Sequence, residues 1–222
     1  MITIVDFDMG NVGSIFNMLQ KLGQAARISR VPEDLFSTTA LILPGVGSFD
    51  EGMRSLAAHG LNKALHEAVV QRGIPILGIC LGMQLLSEGS EEGQQPGLGW
   101  IPGNTTRFRI PQGCSDGLRI PHMGWSRVTP VASDLESTTV AGCLFARTDF
   151  LQQYYFVHSY HVCCADPGHV IATANHGYTF AAAIGRGHIV GTQFHPEKSH
   201  KFGFQLMRNF VDFVSEKSAL SQ

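Results

Sequence analysis

The chain has 222 residues, of which 44% are hydrophobic and 15% charged, a composition that suits one sizeable globular domain. Its formal net charge is −2 and Lys and Arg form no run, which argues against binding to nucleic acid or to an anionic membrane. No apolar run approaches the roughly 20 residues that span a bilayer, and we expect the first residues to form a strand and not a signal peptide. The five cysteines lack disulfide, zinc or CxxC spacing, which indicates a reducing cytoplasmic location and no metal site.

The first half of the chain alternates between apolar strands and amphipathic helices. We predict strands at residues 2–7, 25–29, 40–43 and 75–80. The helices between them carry apolar residues three and four positions apart, namely Ile15, Met18, Leu19 and Leu22 in one and Leu61, Leu65, Ala68 and Val69 in another. Such alternation is typical of a parallel sheet with helices on both faces, so the sequence predicts an α/β fold.

The second half of the chain is richer in short β-like segments. Residues 87–99 contain much Gly and Glu, and we predict a loop there on the active face. Strands are predicted at 105–110, 126–129, 155–160, 170–174, 180–184 and 188–194, the last two joined by a tight turn at Gly185-Arg186-Gly187. A final helix has an apolar stripe of Met207, Phe210, Val211 and Val214. Since no repeat or linker interrupts the chain, we expect one mixed α/β domain over residues 1–222, with extra antiparallel strands in its C-terminal half.

Residues 75–86, P-I-L-G-I-C-L-G-M-Q-L-L, place a thiol between a strand and a helix. Gly78 and Gly82 flank Cys80 in the pattern of a nucleophile elbow, a sharp turn that side chains at the flanking positions would block. A helix N-terminus behind the thiol favours the thiolate, which is the reactive form. The alternative is a buried structural cysteine at the end of a strand.

A thiol nucleophile needs a base and a group that orients the base. His195 is the best placed of ten histidines, because it follows a predicted strand as Cys80 does. Glu197 lies two residues further on, where its carboxylate can reach the imidazole. The pattern H-P-E is weak by itself, since histidines at strand ends are often surface or capping residues, and it gains weight only beside the elbow cysteine.

The oxyanion that forms during acyl transfer needs backbone donors. The N–H of Leu81, next to the nucleophile, supplies one in an elbow geometry. A second can come from the glycine-rich loop Pro44-Gly45-Val46-Gly47 that follows a neighbouring strand. Without Cys80, this loop would be interpreted as a plain connection between strand and helix.

Together, G-I-C-L-G-M-Q at residues 78–84 and H-P-E at 195–197 resemble the motifs of class I (triad-type) glutamine amidotransferases. The segments H-M-G-W at 122–125 and Y-F-V-H-S-Y at 155–160 are similar, more specifically, to the glutaminase subunits of imidazole glycerol phosphate synthase. The resemblance extends over nearly the whole chain. It implies a flavodoxin-like three-layer domain of the glutamine amidotransferase type.

The resemblance also implies a role for each matching residue. Cys80 would attack the side-chain amide of L-glutamine to give a thioester and ammonia, with His195 as base and acid and Glu197 orienting it. The backbone of Val46 and Leu81 would bind the oxyanion. The residues that match glutamine-binding positions are Gln84, Glu92, Ser159 and Tyr160, and those that match the partner surface and ammonia passage are Asn11, Trp125, Tyr155 and Lys198.

The partner that the resemblance implies is a TIM-barrel cyclase, with which the chain would form a heterodimer. The barrel would receive ammonia through its interior and make imidazole glycerol phosphate and AICAR in histidine biosynthesis. No cofactor is implied for this chain.

Two departures from the family pattern leave the partner open. Asp8 stands where the family usually has glycine, and Ser126 stands where asparagine usually follows H-M-G-W. The residues after Ser199 are similar to those of paralogues that supply ammonia to an amidating synthase in surface-polysaccharide sugar biosynthesis. That pathway is therefore the alternative. The catalytic motifs are unaffected by these departures.

Two alternatives belong to other classes of protein. A non-catalytic thiol sensor could use the elbow cysteine, but it would need neither the H-P-E segment nor the 44–47 loop. An esterase or cysteine protease is compatible with the elbow, but it would leave Gln84 and Glu92 unexplained. The remaining cysteines are predicted to have no role in function, and they are Cys114, Cys143, Cys163 and Cys164.

Overall fold

The computed structural model describes residues 1–109, 118–131, 140–146 and 152–220. Its strands are β1 (Ile2–Val5), β2 (Ala26–Ser29), β3 (Ala40–Gly45), β4 (Ile76–Cys80), β5 (Gly89–Ser90), β6 (Gly103–Arg107), β7 (His122–Arg127), β8 (Thr129–Pro130), β9 (Gln153–His158), β10 (Tyr160–Cys164), β11 (Val170–Asn175), β12 (Thr179–Arg186) and β13 (Ile189–Thr192). Its α-helices are α1 (Val12–Lys21), α2 (Phe49–Ala58), α3 (Leu61–His66), α4 (Leu81–Gln84), α5 (Val140–Cys143) and α6 (His200–Leu220). Cys114 and the last residue of the strand predicted at 105–110 lie outside the described residues.

Eight strands form the central sheet, in the order β2-β1-β3-β4-β13-β12-β11-β8. The first five of these run parallel to one another. Strands β12, β11 and β8 extend the sheet by antiparallel pairing. The predicted α/β fold with a mostly parallel sheet and extra antiparallel strands in the C-terminal half is thereby confirmed.

Helices cover both faces of this sheet, as the alternating pattern predicts. On one face, α1 and α6 pack against the strands through buried residues such as Ile15, Leu19 and Phe210. On the other face, α2 and α3 do so through buried residues such as Leu56 and Leu65. Each helix buries one apolar stripe, so the fold has three layers with the sheet in the middle.

Several elements differ from the sequence-based expectation, and β10 is one of them, since the single strand predicted at 155–160 ends where β10 begins. Helix α2 was missed because Gly52 and several polar residues dilute its apolar pattern, although Phe49, Met53 and Leu56 are buried at helical spacing. Strand β7 begins at His122, four residues before the predicted start. The sequence did not indicate this first part of the strand, because Gly124 adopts a φ of 127° and has no side chain to contribute to a strand pattern. A tight turn does join β12 to β13 as an antiparallel hairpin, but it lies at Gly187 and His188, because Gly185 and Arg186 still belong to β12.

Two smaller sheets lie beside the central one. Strands β10, β6 and β5 form the first, and β7 and β9 form the second. Strand β9 reaches the catalytic edge of the central sheet through a bridge between Tyr155 and His195. Within the described ranges, no helix combines the length and the apolar character needed to cross a bilayer.

Candidate active site

Cys80 ends the parallel strand β4 in a strained turn. Its φ is +55°, a conformation that non-glycine residues rarely adopt, and helix α4 starts at the next residue. A Cβ at Gly82 would overlap the carbonyl oxygen of Leu43, and one at Gly78 would lie 2.7 Å from the carbonyl oxygen of Gly82. Both flanking glycines are therefore required by close backbone packing, as a nucleophile elbow demands.

His195 reaches the same edge of the sheet because β13 pairs in parallel with β4, with Thr192 opposite Ile79. Its backbone is fixed from two sides. The His195 N–H donates to the carbonyl of Tyr155 at 2.9 Å, and the Ser199 hydroxyl donates to the His195 carbonyl at 2.6 Å. Both bonds are made by the backbone of His195, so they position the residue beside the nucleophile and leave its imidazole ring available for other contacts.

The imidazole of His195 is oriented by Glu197. The distance from Nδ1 of His195 to Oε1 of Glu197 is 2.8 Å, and the two side chains are only 3% and 4% exposed. Burial by itself lowers the pKa of His195, but its interactions with Cys80 and Glu197 outweigh that effect and raise the pKa. Since Nδ1 donates to the carboxylate, Nε2 is the ring atom left to exchange a proton at Cys80.

A cavity of about 330 Å³ opens beside the elbow. It is lined by Val46, Gly47, Cys80, Leu81, Gln84, Glu92, Pro121, Val157, His158, Ser159 and Tyr160. The structure thus brings together the nucleophile, both predicted oxyanion residues and all four predicted glutamine-binding residues. His195 and Glu197 lie behind this lining, on the β13 side of Cys80.

Glu92 lies in the segment predicted as a loop at 87–99, which contains the short strand β5, and it lines the cavity. Its Oε2 accepts a hydrogen bond from the backbone N–H of Phe49, the first residue of α2, at 2.8 Å. Among the described residues no bond engages Oε1. The carboxylate is thus anchored to a helix terminus and still has an oxygen for a cationic group in the cavity.

Gln84 is held by two acceptors, and one of them belongs to a residue that the sequence analysis missed. Its Nε2 donates to the carbonyl of Tyr160 and to Oε1 of Gln193, each at 3.1 Å. That residue, Gln193, could have been predicted from its position. It precedes His195 by two, and residues two apart on an extended segment point to the same side, which here is the side of the active site.

The two predicted oxyanion donors differ in their availability. The Leu81 N–H is the first of helix α4, where no intrahelical acceptor exists for it. The Val46 N–H instead donates to the carbonyl of Met9 at 3.3 Å. Half of the predicted oxyanion hole is therefore committed to an internal bond, and the role of Val46 stays a prediction.

Three of the four residues predicted at a partner surface form one aromatic cluster. The rings of Trp125 and Tyr155 lie 6.1 Å apart, Lys198 Nζ is 5.7 Å from the Tyr155 ring, and His200 stacks on Trp125 at 5.4 Å. Trp125 is 44% exposed, which is unusual for so large an apolar side chain. The fourth residue, Asn11, caps helix α1 by accepting the Ser14 N–H at 3.2 Å.

Two buried histidines connect the cavity to Ser126. Nδ1 of His158 lies 2.7 Å from the Tyr160 carbonyl, so it is a donor. Nε2 of His158 lies 3.0 Å from Nδ1 of His122, and Nε2 of His122 lies 2.8 Å from the Ser126 hydroxyl. Burial lowers the pKa of His122 to about 4 and that of His158 to about 3, so both rings are neutral near pH 7.

An elbow cysteine with a buried His–Glu pair at the end of the adjacent parallel strand defines a thiol-dependent α/β enzyme of the triad type. A family model supports and narrows this class. The chain belongs to the class-I glutamine amidotransferase family, whose model matches residues 3–213.

Curated relatives cover almost the full length of the chain. It is 44% identical over 214 residues to imidazole glycerol phosphate synthase subunit HisH 2 of Pseudomonas aeruginosa, covering 96% of this chain and all of that one. It is 46% identical over 212 residues to the HisH 2 subunit of Methanococcus maripaludis, covering 95% and 98% of the two chains. One chain in the solved structure of PurLQS from Thermotoga maritima has the same fold, with a TM-score of 0.71 at 17% identity over 96% of this chain and 98% of that one.

Proposed function

We propose that this chain is the glutaminase subunit of imidazole glycerol phosphate synthase. In this proposal one glutamine amidotransferase domain, residues 1–222, hydrolyses L-glutamine and passes ammonia to a TIM-barrel cyclase of the HisF type. The observation that carries the proposal is the single cavity in which Cys80 meets every predicted oxyanion and glutamine-binding residue. The two HisH subunits with 44% and 46% identity support the assignment to this enzyme.

The reaction begins with the Cys80 thiolate attacking the side-chain carbonyl carbon of glutamine. A carbon–sulfur bond forms and the carbonyl oxygen takes the negative charge, which the Leu81 N–H would stabilise, joined by the Val46 N–H once that group leaves the Met9 carbonyl. His195, protonated through Nε2, then delivers its proton to the amide nitrogen. The carbon–nitrogen bond breaks, ammonia leaves, and a γ-glutamyl thioester remains on Cys80.

Water completes the cycle. His195, now neutral, removes a proton from a water molecule that attacks the thioester carbon, and the carbon–sulfur bond breaks to release glutamate and the thiolate. Glu197 keeps Nδ1 protonated throughout, because its carboxylate accepts that proton in a hydrogen bond in both halves of the reaction. Within the cavity, Glu92 would bind the α-ammonium group of the substrate by its charge.

Ammonia must then reach the partner. The Trp125–Tyr155–Lys198 cluster lies directly beside the catalytic edge, since the Tyr155 carbonyl accepts the His195 N–H. An exposed aromatic group with a cation next to it is typical of a protein–protein contact. We assign this cluster to the heterodimer interface. Cys80, Cys163 and Cys164 form no disulfide bond with any described residue, which suits the cytoplasmic location that this pathway requires.

The experiment is a glutaminase assay on the purified chain with and without the imidazole glycerol phosphate synthase barrel encoded in the same genome. We expect ammonia release to increase at least tenfold when the barrel is added, and Cys80→Ala to abolish it in both cases. A parallel arm uses the amidating synthase of a surface-polysaccharide pathway, since Asp8 and Ser126 depart from the family pattern. Stimulation by that synthase alone would replace the histidine-pathway assignment with the paralogous one.

A non-catalytic role is tested in the same samples. A thiol-reactive glutamine analogue should label Cys80 in the wild-type chain, with L-glutamine competing against it. Absence of labelling, together with absence of ammonia release with either partner, would leave only thiol sensing or binding by the elbow cysteine.

A further inference from the structure

A fully buried carboxamide lies between the nucleophile and the wall of the cavity. Gln193 directly follows β13 and is inaccessible to solvent. Its Nε2 donates to Sγ of Cys80 at 3.7 Å, and its Oε1 accepts from Nε2 of Gln84 at 3.1 Å. Gln84 in turn donates to the carbonyl of Tyr160. A polar chain therefore runs from the lining of the cavity to the reacting sulfur.

The two ends of this carboxamide act on different steps. A donor at the sulfur favours the thiolate over the thiol, because hydrogen bonds to an anion are stronger than those to a neutral acceptor. An acceptor at Gln84 fixes the side chain that lines the cavity. In the described part of the chain, Nε2 of His195 forms no hydrogen bond, although the closeness of His195 to Cys80 raises the pKa of the ring. The hydrogen bond that the sulfur does accept comes from Gln193.

We propose that Gln193 is a further residue of the reaction, whose amide N–H stabilises the Cys80 thiolate while its carbonyl positions Gln84 for the substrate. This inference rests on the proposed glutaminase activity for the Gln84 half only. The stabilisation of the thiolate is a property of the resting chain. It requires neither glutamine nor the partner.

The main test therefore measures the thiolate directly. Alkylation of Cys80 by iodoacetamide is followed by mass spectrometry of its peptide from pH 5 to 10 in the chain alone, with the exposed Cys163 as an internal control. In Gln193→Met, which has a similar size but no amide, we expect the alkylation profile of Cys80 to move upward by about one pH unit. The profile of Cys163 should stay where it is. Gln84→Met retains the Gln193–Cys80 contact and should leave the Cys80 profile within about 0.3 pH units of wild type.

Steady-state kinetics with the activating barrel test the second end of the carboxamide. Both variants should raise the KM for glutamine, because both remove the Gln84–Gln193 bond. Only Gln193→Met should also lower kcat, by about 10- to 100-fold, since it alone weakens the nucleophile. If Gln193 merely fills space, its Met variant will match Gln84→Met in both measurements.

An unchanged Cys80 profile in a folded Gln193→Met chain would overturn the proposal. If that variant does not fold, Gln193→Glu decides the matter, because it keeps an acceptor for Gln84 and places a carboxylate against the thiolate. A profile that does not move upward in this variant would also overturn it. The outcome is different if Gln193→Met shifts the Cys80 profile but the wild-type chain releases no ammonia with the barrel. That result would refute the proposed function and leave the thiolate assignment standing.

Discussion

The backbone N–H of Val46 donates to the carbonyl of Met9 across 3.3 Å, so two loops at the catalytic edge are tied to each other. The contact extends to the side chain, because a Cβ at Gly47 would lie only 2.7 Å from Cε of Met9. A donor that is already bonded cannot bind an oxyanion. The turn that carries Met9 therefore controls whether the second half of the oxyanion hole is available.

Asp8 anchors that turn, and its removal should release the donor. Asp8 adopts a φ of +63°, and its carboxylate contacts His59 at 2.7 Å and Arg30 at 2.9 Å. The hydrogen bond with His59, assisted by Arg30, lowers the pKa of Asp8, so the anchor is charged. We expect Asp8→Gly to raise ammonia release by the chain without its partner severalfold, because the Val46 N–H is then freer to turn towards the cavity.

The matched control is Asp166→Gly, which removes another exposed carboxylate that caps a turn through the Gly168 N–H. It should leave the partner-free rate unchanged. Equal partner-free rates for wild type and Asp8→Gly would show that the Asp8 contacts do not hold the oxyanion loop.

Loss of the Glu197 charge should slow catalysis far more than it affects folding. Glu197→Gln keeps a hydrogen-bonding group near Nδ1 of His195 but removes the charge that raises the pKa of the ring. We expect kcat to fall by roughly 10²- to 10⁴-fold, in the range seen when the orienting acid of a triad is neutralised. The measurement is the kcat of glutaminase with saturating barrel as a function of pH, and the limb of the profile that reports His195 should move to lower pH.

Glu67→Gln provides the control, because Glu67 pairs with Arg72 on the surface far from Cys80. Its kcat should match wild type. A Glu197→Gln enzyme with more than about a third of the wild-type kcat would mean that His195 does not depend on this carboxylate for its orientation.

The buried His122–His158 pair should make the fold sensitive to acid. The folded pKa values of about 4 and about 3 lie below the ordinary 6.5, so the unfolded chain binds more protons below pH 6.5. The stability due to the neutral rings is complete above pH 6.5 and is lost as the pH falls towards 4 and 3. A tenfold change in proton affinity is worth about 1.4 kcal/mol. His122 alone therefore accounts for a loss of roughly 3 kcal/mol in the free energy of unfolding when the pH falls from above 6.5 to below 4.

Urea unfolding at a series of pH values from 7.5 to 4.5 measures this dependence. His122→Gln should flatten it, since the variant has one fewer group that must stay neutral when buried. His66→Gln changes an exposed histidine and should reproduce the wild-type curve. A wild-type chain as stable at pH 4.5 as at pH 7.5 would contradict the assignment of two neutral rings.

The elbow glycines should be intolerant of a single methyl group. In Gly82→Ala the new Cβ would overlap the Leu43 carbonyl, a backbone atom that cannot move without distorting β3. We expect a loss of at least about 3 kcal/mol in the free energy of unfolding. Gly13→Ala is the matched control, since that position lies in α1 with its nearest neighbour at 3.9 Å, and it should stabilise the chain by about 0.5 kcal/mol.

The parts of the fold and the site that could be predicted from the sequence are those with a local signature. The elbow at Cys80 depends on residues within a short segment, and the parallel strands are marked by continuous apolar runs. Helix α2 was not predicted, because its buried residues are determined by tertiary packing and do not form a clear apolar pattern in the sequence. The bond of the Val46 N–H is equally invisible in the sequence, since every residue except proline carries that donor and only the tertiary structure determines its acceptor.

Gln193 illustrates the same limit for the site. Its contact with Cys80 spans 113 residues and depends on β13 pairing with β4, a pairing that no local pattern specifies. Several predicted strands could have occupied the place next to β4. Family resemblance could supply the roles of His195 and Glu197, but it did not mark a residue whose contribution lies in a buried hydrogen bond.

The parallel pairing of β4 with β13 also has a consequence for the newly made protein. The elbow leaves the ribosome well before the strand that carries its neighbours Gln193 and His195. At about 5 to 20 residues per second, the intervening 113 residues take on the order of ten seconds to synthesise. A nascent or truncated chain therefore carries the Cys80 thiol without its base. The pairing of Cys80 with His195 therefore forms only once nearly the whole polypeptide exists.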